Sequence, residues 1–222
     1  MKSQTKSSKV NRAWINEHVN DPWVKLATRE GYRARAAYKL REIDETLGLV
    51  RPGQLVVDLG SAPGAWSQYL RRRMVRAGMA GSELDGSIIA LDLLPMEPVE
   101  GVTFLQGDFR EAELLSRVEG MLAGRKADLV VSDMAPNLSG IASADTARIT
   151  DLVELAVDFA RHHLRPEGAL VAKVFHGSGY EDLARLFKDT FRTVKRVKPK
   201  ASRDKSSETF LVGLGLRNEL PG

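Results

Sequence analysis

The residue with the plainest chemical promise is Lys173. It lies inside the apolar run Ala169-Leu170-Val171-Ala172-Lys173-Val174-Phe175. An unpartnered ammonium buried in such a run costs several kcal/mol, so a lysine there asks for a partner or a task. Asp133 closes the run Ala127-Asp128-Leu129-Val130-Val131-Ser132-Asp133, and the turn Met134-Ala135-Pro136-Asn137 after it would hold it at a strand end. Glu208 begins the stretch Glu208-Thr209-Phe210-Leu211-Val212. Lys39 borders the apolar face of a helix and reaches toward the same rim. Taken singly, each is equally well explained by a structural ion pair. Together they make a lysine–acid cluster, the material of general acid–base chemistry beside a nucleoside pocket.

That pocket is announced by Val56-Val57-Asp58-Leu59-Gly60-Ser61-Ala62-Pro63-Gly64-Ala65-Trp66-Ser67. An apolar strand ends in an acid, turns through two glycines and a proline, and enters a helix. This is the entry unit of a nucleotide-binding α/β domain. The spacing Gly-Ser-Ala-Pro-Gly is not the dinucleotide fingerprint. Pro63 has no N–H, so the turn is a poor cradle for a pyrophosphate. The zwitterionic methionine end of S-adenosylmethionine suits it better.

Four runs end in aspartate: Asp58, Asp92, Asp108 and Asp133. Ligands of an open α/β sheet sit at strand C-termini, so four acids in register outweigh helix capping as an explanation. Asp92 stands one βα unit after the glycine turn, where ribose hydroxyls are gripped. Asp108 is placed to accept from an adenine amino group while Phe109 packs on the ring.

The elements that position these residues follow from periodicity. Strands are predicted at about 56–58, 87–92, 102–108, 127–133 and 169–175, with helices at 31–47, 65–77, 111–122, 145–164 and 180–190. In the first helix Ala36, Leu40, Ile43 and Leu47 share one face. Alternation of strand and helix implies a parallel sheet covered on both sides. The last pair, about 193–198 and 208–215, is joined by a loop and should be antiparallel. Residues 78–86 read as a loop and residues 1–30 as a basic, partly disordered arm before a single domain, 31–222. Trp14 and Trp23 in that arm are expected to dock it on the core.

Composition narrows the class. The chain has 222 residues, 43% hydrophobic and 28% charged, enough for one domain with a proper core. With no cysteine, disulfides and thiolate metal sites are excluded. No apolar run approaches the roughly 18 residues of a membrane span, and no signal-peptide core opens the chain; a cytoplasmic protein is expected. Net charge is +4, unevenly spread. Residues 1–41 hold ten Lys/Arg against three acids, and residues 188–205 hold eight against two. Two basic clusters around a neutral-to-acidic centre suggest a polyanionic partner, nucleic acid first.

These segments carry a resemblance to the FtsJ (RrmJ) family of bacterial ribosomal RNA ribose 2′-O-methyltransferases. The similar stretches are Asp58 to Ser67, Leu91-Asp92-Leu93-Leu94-Pro95-Met96, Leu105-Gln106-Gly107-Asp108-Phe109-Arg110, Ser132-Asp133-Met134-Ala135-Pro136-Asn137-Leu138-Ser139-Gly140 and Lys173-Val174-Phe175. They run through nearly the whole chain, and the order Lys39, Asp133, Lys173, Glu208 is similar to the family's catalytic tetrad. The resemblance implies S-adenosylmethionine as donor and a Rossmann-like seven-stranded sheet with one antiparallel strand. It also implies donor-site residues Gly64, Trp66, Asp92, Asp108 and Asp133, with Asp58, Gly60, Pro63 and Phe109 around them, and Lys173 as base. The implied substrate is a uridine ribose in the peptidyl-transferase A loop of large-subunit rRNA, on the large subunit or a late precursor. A monomer is expected. The loop at 78–86 is longer than the pattern.

Three other readings are weaker. A base N-methyltransferase wants an aromatic stacker after strand four, and Asp133-Met134-Ala135-Pro136 supplies none. A non-enzymatic RNA-binding factor would have no use for an intact glycine turn and tetrad. A NAD-dependent oxidoreductase conflicts with the turn chemistry at Pro63.

Overall fold

The computed structural model describes residues 20–75, 83–136, 142–177, 179–203 and 206–217. Among them the chain runs α1 (Pro22–Glu30), α2 (Ala36–Leu47), β1 (Leu55–Leu59), α3 (Ala65–Arg73), β2 (Ser87–Asp92), β3 (Val102–Gln106), α4 (Ala112–Leu122), β4 (Ala127–Ser132), α5 (Ala142–His163), β5 (Leu164–Phe175), α6 (Tyr180–Thr190), β6 (Phe191–Val197) and β7 (Glu208–Leu216). Among the described residues seven strands form one sheet in the order β3-β2-β1-β4-β5-β7-β6. Strands β1 to β5 pair in parallel. β7 runs antiparallel to both β5 and β6, as the loop connection requires.

The sheet separates two apolar layers. Leu55, Val57 and Leu59 face the core under α4, α5 and α6, which contribute Leu114, Val118, Val153, Val157, Leu183 and Phe187. Val56 faces the other way, toward Leu40 and Ile43 of α2 and Trp66, Tyr69 and Leu70 of α3. β1 is buried at all five positions, the reason its sequence is an apolar run rather than an alternation. The strand order reverses between β1 and β4, the switch point at which doubly wound folds open a ligand crevice.

Several boundaries move. The helix expected at 31–47 begins at Ala36, because Gly31 takes a left-handed φ of 71° and caps a separate helix, α1. Asp21 opens α1 by accepting from Trp23 N at 2.8 Å, with Pro22 at the first position. The last third of the expected arm is therefore ordered. Trp23 lies 5.3 Å from the Tyr38 ring, and Ala27, Tyr38 and Ala201 form a small core beneath it. The expected docking of Trp23 is what the structure shows, whereas Trp14 lies outside the described residues. The α3 helix stops at Arg73 rather than 77, and β5 starts at Leu164 rather than 169. Of the loop expected at 78–86, residues 78–82 lie outside the described residues, and Leu84 bridges to Val75. No helix among the described residues is long and apolar enough to cross a membrane.

Candidate active site

Strand parity decides which side chains meet. On β5, Ala169 and Val171 face the layer beneath α2 and α3, so Lys173 points the same way. On β7, Phe210 and Val212 lie on that face, and Glu208 with them. Lys173 pairs with Phe210 and Phe175 with Glu208, so Lys173 and Glu208 sit on a diagonal of adjacent strands. Lys39 descends from α2, whose Leu40 and Ile43 pack on the same layer. Asp133 follows β4 just beyond the Ser132–Ala172 pair, beside Lys173.

The four expected cluster residues are thus brought together as two linked ion pairs. Lys173 Nζ donates to Asp133 Oδ1 at 2.9 Å and to the Asp133 carbonyl at 2.7 Å. Lys39 Nζ donates to Glu208 Oε2 at 2.8 Å and lies 2.7 Å from Oε1. Ser202 Oγ donates to Glu208 Oε1 at 2.8 Å. Burial pushes the Glu208 carboxyl up, but Lys39, Ser202 and Lys173 outweigh it and hold it below its ordinary value. Lys39, Lys173 and Glu208 are at most 9% exposed. The lysine of α2 does not snorkel to solvent as a surface lysine would. Removing one partner of such a buried pair costs about 3–5 kcal/mol.

A cleft of about 700 Å³ opens at the strand ends beside the cluster, within the usual range of roughly 300–1,000 Å³ for ligand pockets. Gly60 and Ala62 line it after β1, Asp92, Leu93 and Leu94 at and after β2, and Gly107 to Arg110 after β3. Asp133 to Pro136 follow β4, and α5 adds Arg148, Asp151, Leu152 and Leu155. Among the described residues four aspartates therefore stand against two arginines in the wall. An acid-rich wall favours a cationic or zwitterionic ligand and repels a pyrophosphate. Asp133 belongs both to this wall and to the lysine cluster.

Asp92 ties the wall together: its Oδ2 accepts Ala62 N and its Oδ1 accepts Leu94 N, both at 2.8 Å. Asp108 is held by the Arg110 side chain, Nε to Oδ1 at 3.0 Å and Nη2 to Oδ2 at 2.7 Å. The Arg110 guanidinium, helped by its backbone N–H, lowers the Asp108 carboxyl from its usual value. Phe109 is only 9% exposed and meets Phe159 edge-on at 5.2 Å. Among the described residues Leu93 and Leu94 are the exposed large hydrophobics, at 59% and 64%.

Asp58 corrects the expectation of four rim acids. β1 continues one residue past it, so Asp58 lies on the α3 face of the strand, fully buried. Its Oδ2 accepts Ser67 Oγ at 2.7 Å, while its Oδ1 and the buried Ser61 Oγ have no partner among the described residues. Burial pushes this carboxyl up, against the Ser67 hydrogen bond and with Asp133 and Asp92 adding to it, to about 7. A carboxyl whose folded value exceeds its unfolded value stabilises below the unfolded value and loses that contribution as pH rises through the folded one. Wild-type stability is therefore expected to fall between pH 4 and 7 relative to Asp58→Asn, by on the order of a few kcal/mol. Denaturant melts of both proteins at pH 5 and pH 8 check this. A stability difference that is the same at both pH values would contradict it.

Gly64, Pro63 and Trp66 are not among the residues lining the cleft. Gly64 caps α3 at φ 105°, and a Cβ there would come within 2.7 Å of Arg33 Nη1. The Trp66 indole points into the core, donating Nε1–H to the Ala36 carbonyl at 2.8 Å, with Phe210 5.8 Å away. The turn is clamped by a residue that sequence reasoning missed. Arg33 donates to the carbonyls of Pro63 at 3.0 Å, Glu97 at 2.5 Å and Pro98 at 2.7 Å. No local pattern announces such a long-range fork. Arg148, Asp151 and Leu155 were also missed, although their helical spacing places them on one face.

Comparison with known proteins agrees with this geometry. The family model described as FtsJ-like methyltransferase matches residues 32–216. A Variovorax paradoxus (strain S110) protein named Ribosomal RNA large subunit methyltransferase E is 77% identical over 217 residues, 98% of each chain. A protein of the same name from Paracidovorax citrulli (strain AAC00-1) is 71% identical, covering 98% of this chain and all of that one. Among solved structures, a Plasmodium falciparum protein described as a ribosomal RNA methyltransferase superposes with a TM-score of 0.72 at 26% identity, covering 83% of this chain and 98% of that one.

Proposed function

We propose that this chain, which belongs to the FtsJ-like methyltransferase family, methylates large-subunit ribosomal RNA on the ribose 2′-hydroxyl of a uridine, with S-adenosylmethionine as donor. The observation that carries the reading is the Lys173–Asp133 pair opening directly onto an acid-lined cleft at the switch point of the sheet. The names of relatives that match almost end to end supply the RNA.

The cleft fits the donor on its own chemistry. Gly60 takes φ +74°, and a Cβ there would sit 2.7–2.9 Å from Met134, so the wall is shaped around a bare backbone. Acid excess matches a sulfonium and an ammonium. S-adenosylmethionine, when bound, supplies an electrophilic methyl group. Asp92 retains lone pairs beyond its two backbone bonds and would accept from ribose hydroxyls. Asp108 would accept from the adenine amino group, with Phe109, Leu93 and Leu94 against the ring. The turn at Gly60, Pro63 and Gly64 and the first-turn N–H groups of α3, including Trp66, would take the methionine end. Asp58 would act from beneath, through the turn it underlies.

Lys173, as the neutral amine, would take the proton from the 2′-hydroxyl as its oxygen takes the methyl group and the sulfur leaves, since the hydroxyl is a poor nucleophile until that proton leaves. Asp133 fixes the amine from two directions. Lys39 and Glu208 would orient the ribose and balance charge. Holding hydroxyl, amine and methyl group in line can supply about 7–11 kcal/mol in favourable cases.

The RNA would lie across cations from the 1–30 arm and from residues 188–205. α1 and the β6–β7 loop meet through Ala27, Tyr38 and Ala201, which supports reading the described parts of the two basic regions together. The single domain, residues 31–222, would work as a cytoplasmic monomer on the large ribosomal subunit. The test is transfer of labelled methyl from the donor to large subunits that lack the modification. Label is expected in large-subunit rRNA, with RNA affinity falling steeply between about 50 and 200 mM salt. Label confined to small-subunit RNA, or affinity independent of salt, would overturn the substrate or the surface respectively.

A further inference from the structure

The β6–β7 loop reaches the cluster through one buried hydroxyl. Glu42 of α2 accepts from Lys200 N at 2.7 Å and from Ala201 N at 2.9 Å, which pins the loop to the helix that carries Lys39. Ala201 is fully buried and Ser202 is 5% exposed. Ser202 N donates to the Pro199 carbonyl at 2.9 Å, which turns the side chain inward, and its Oγ donates to Glu208 Oε1 at 2.8 Å.

Glu208 has two lysines to choose from. Lys39 faces it from α2 and Lys173 from the diagonal position on β5, with Asp133 on the far side of Lys173. Lys198 of the loop donates to the Glu208 carbonyl oxygen at 3.1 Å rather than to the carboxylate. A carboxylate free to rotate would divide its charge between the two ammonium groups. With Oε1 held by Ser202, both oxygens stay on Lys39.

We propose that Ser202 is a positioning residue: by holding Glu208 on Lys39, it keeps that carboxylate from bonding to Lys173, whose direct acid partner is then Asp133, and leaves the amine available to accept a proton. This rests on the reading of Lys173 as the base. Without the hydroxyl, Glu208 swings toward Lys173, and a second carboxylate beside that amine favours its charged, unreactive form.

The experiment is the pH–rate profile of single-turnover methyl transfer, with donor affinity and melting temperature measured on the same proteins. For Ser202→Ala the acidic limb is expected to move up by about one pH unit, which is about a tenfold loss of rate at pH 7 recovered at higher pH. Donor affinity stays within about threefold of wild type. Ser202→Thr, which keeps the hydroxyl, returns the limb toward its wild-type position. If Ser202→Ala does not fold, Ser202→Cys carries the test, because a weaker donor of similar size gives a smaller shift in the same direction. An acidic limb left in place, with the rate unchanged or scaled equally at every pH, overturns the proposal. Lys173→Ala separates the two ideas: full activity in that variant removes the base reading itself, whereas an inactive Lys173→Ala beside an unshifted Ser202→Ala removes only the role of Ser202.

Discussion

Lys173→Ala is expected to lower single-turnover methyl transfer by about 10²–10⁴-fold, the range that a positioned acid or base contributes, while donor affinity stays within about threefold of wild type. The two effects separate because of where the residue stands. Lys173 is reached through Asp133, which lines the cleft, but is not itself among the residues lining it. Truncation leaves Asp92, Asp108 and Phe109 in place. It also leaves Asp133 with an unpaired carboxylate, which is 19% exposed at its side chain and so can recruit water. Stability should therefore fall less than when a fully enclosed pair is broken. Calorimetric titration with the donor and quench-flow measurement of methyl transfer give the two numbers. Turnover near wild type would remove the amine from proton transfer, and lost donor affinity would make Lys173 a pocket-building residue instead.

The second large effect is expected at Gly60→Ala. Three Met134 atoms, Cγ, Cα and N, would lie 2.7–2.9 Å from the new Cβ, two of them backbone. Side-chain rotation cannot relieve a clash with backbone. Met134 follows Asp133, whose N–H donates to the Leu59 carbonyl at 3.2 Å. The displaced segment is therefore the one that carries the acid shared by cleft and cluster. Added to it is the left-handed φ of +74°, worth about 1–2 kcal/mol against a side chain. With overpacking of about 1–3 kcal/mol, the total destabilisation is about 2–5 kcal/mol. Donor affinity is expected to fall at least tenfold in the protein that still folds. Gly48→Ala is the control: its Cβ would meet no atom within 4 Å at a φ of +64°, so it should cost only the backbone strain and leave donor affinity intact. Equal donor affinity in both variants would show that the bare backbone at Gly60 serves the fold and not the ligand.

Much of this was legible before the structure, for identifiable reasons. Lys173 stood out because a charge inside an apolar run is expensive, and the structure places it on the layer where Asp133, Glu208 and Lys39 converge. The antiparallel course of β7 followed from a loop where a crossover helix would be needed. The cluster that holds Lys39 and Glu208 was legible, but their pairing across 169 residues has no local signal. Asp58 misled because its run reads the same whether the strand stops at it or passes it. One more strand residue carries it under α3 and out of the rim. The spacing of Trp66 with Tyr69 and Leu70 marks the buried face of α3, so its indole belongs to the core, a part of its role that periodicity alone made legible. Arg33 and Ser202 act through side chains that cross between elements, and nothing in a linear spacing foretells where a fork or a hydroxyl will land.

The most direct test of the central claim is where on the nucleotide the methyl group goes. Large-subunit rRNA labelled by this enzyme would be hydrolysed in alkali, which cleaves RNA through attack of a free 2′-oxygen on the neighbouring phosphate. A methylated 2′-oxygen cannot attack, so the account predicts label in an alkali-resistant dinucleotide with uridine on its 5′ side. Label recovered in a single nucleotide would place the methyl on a base and contradict the role assigned to Lys173 and its cluster.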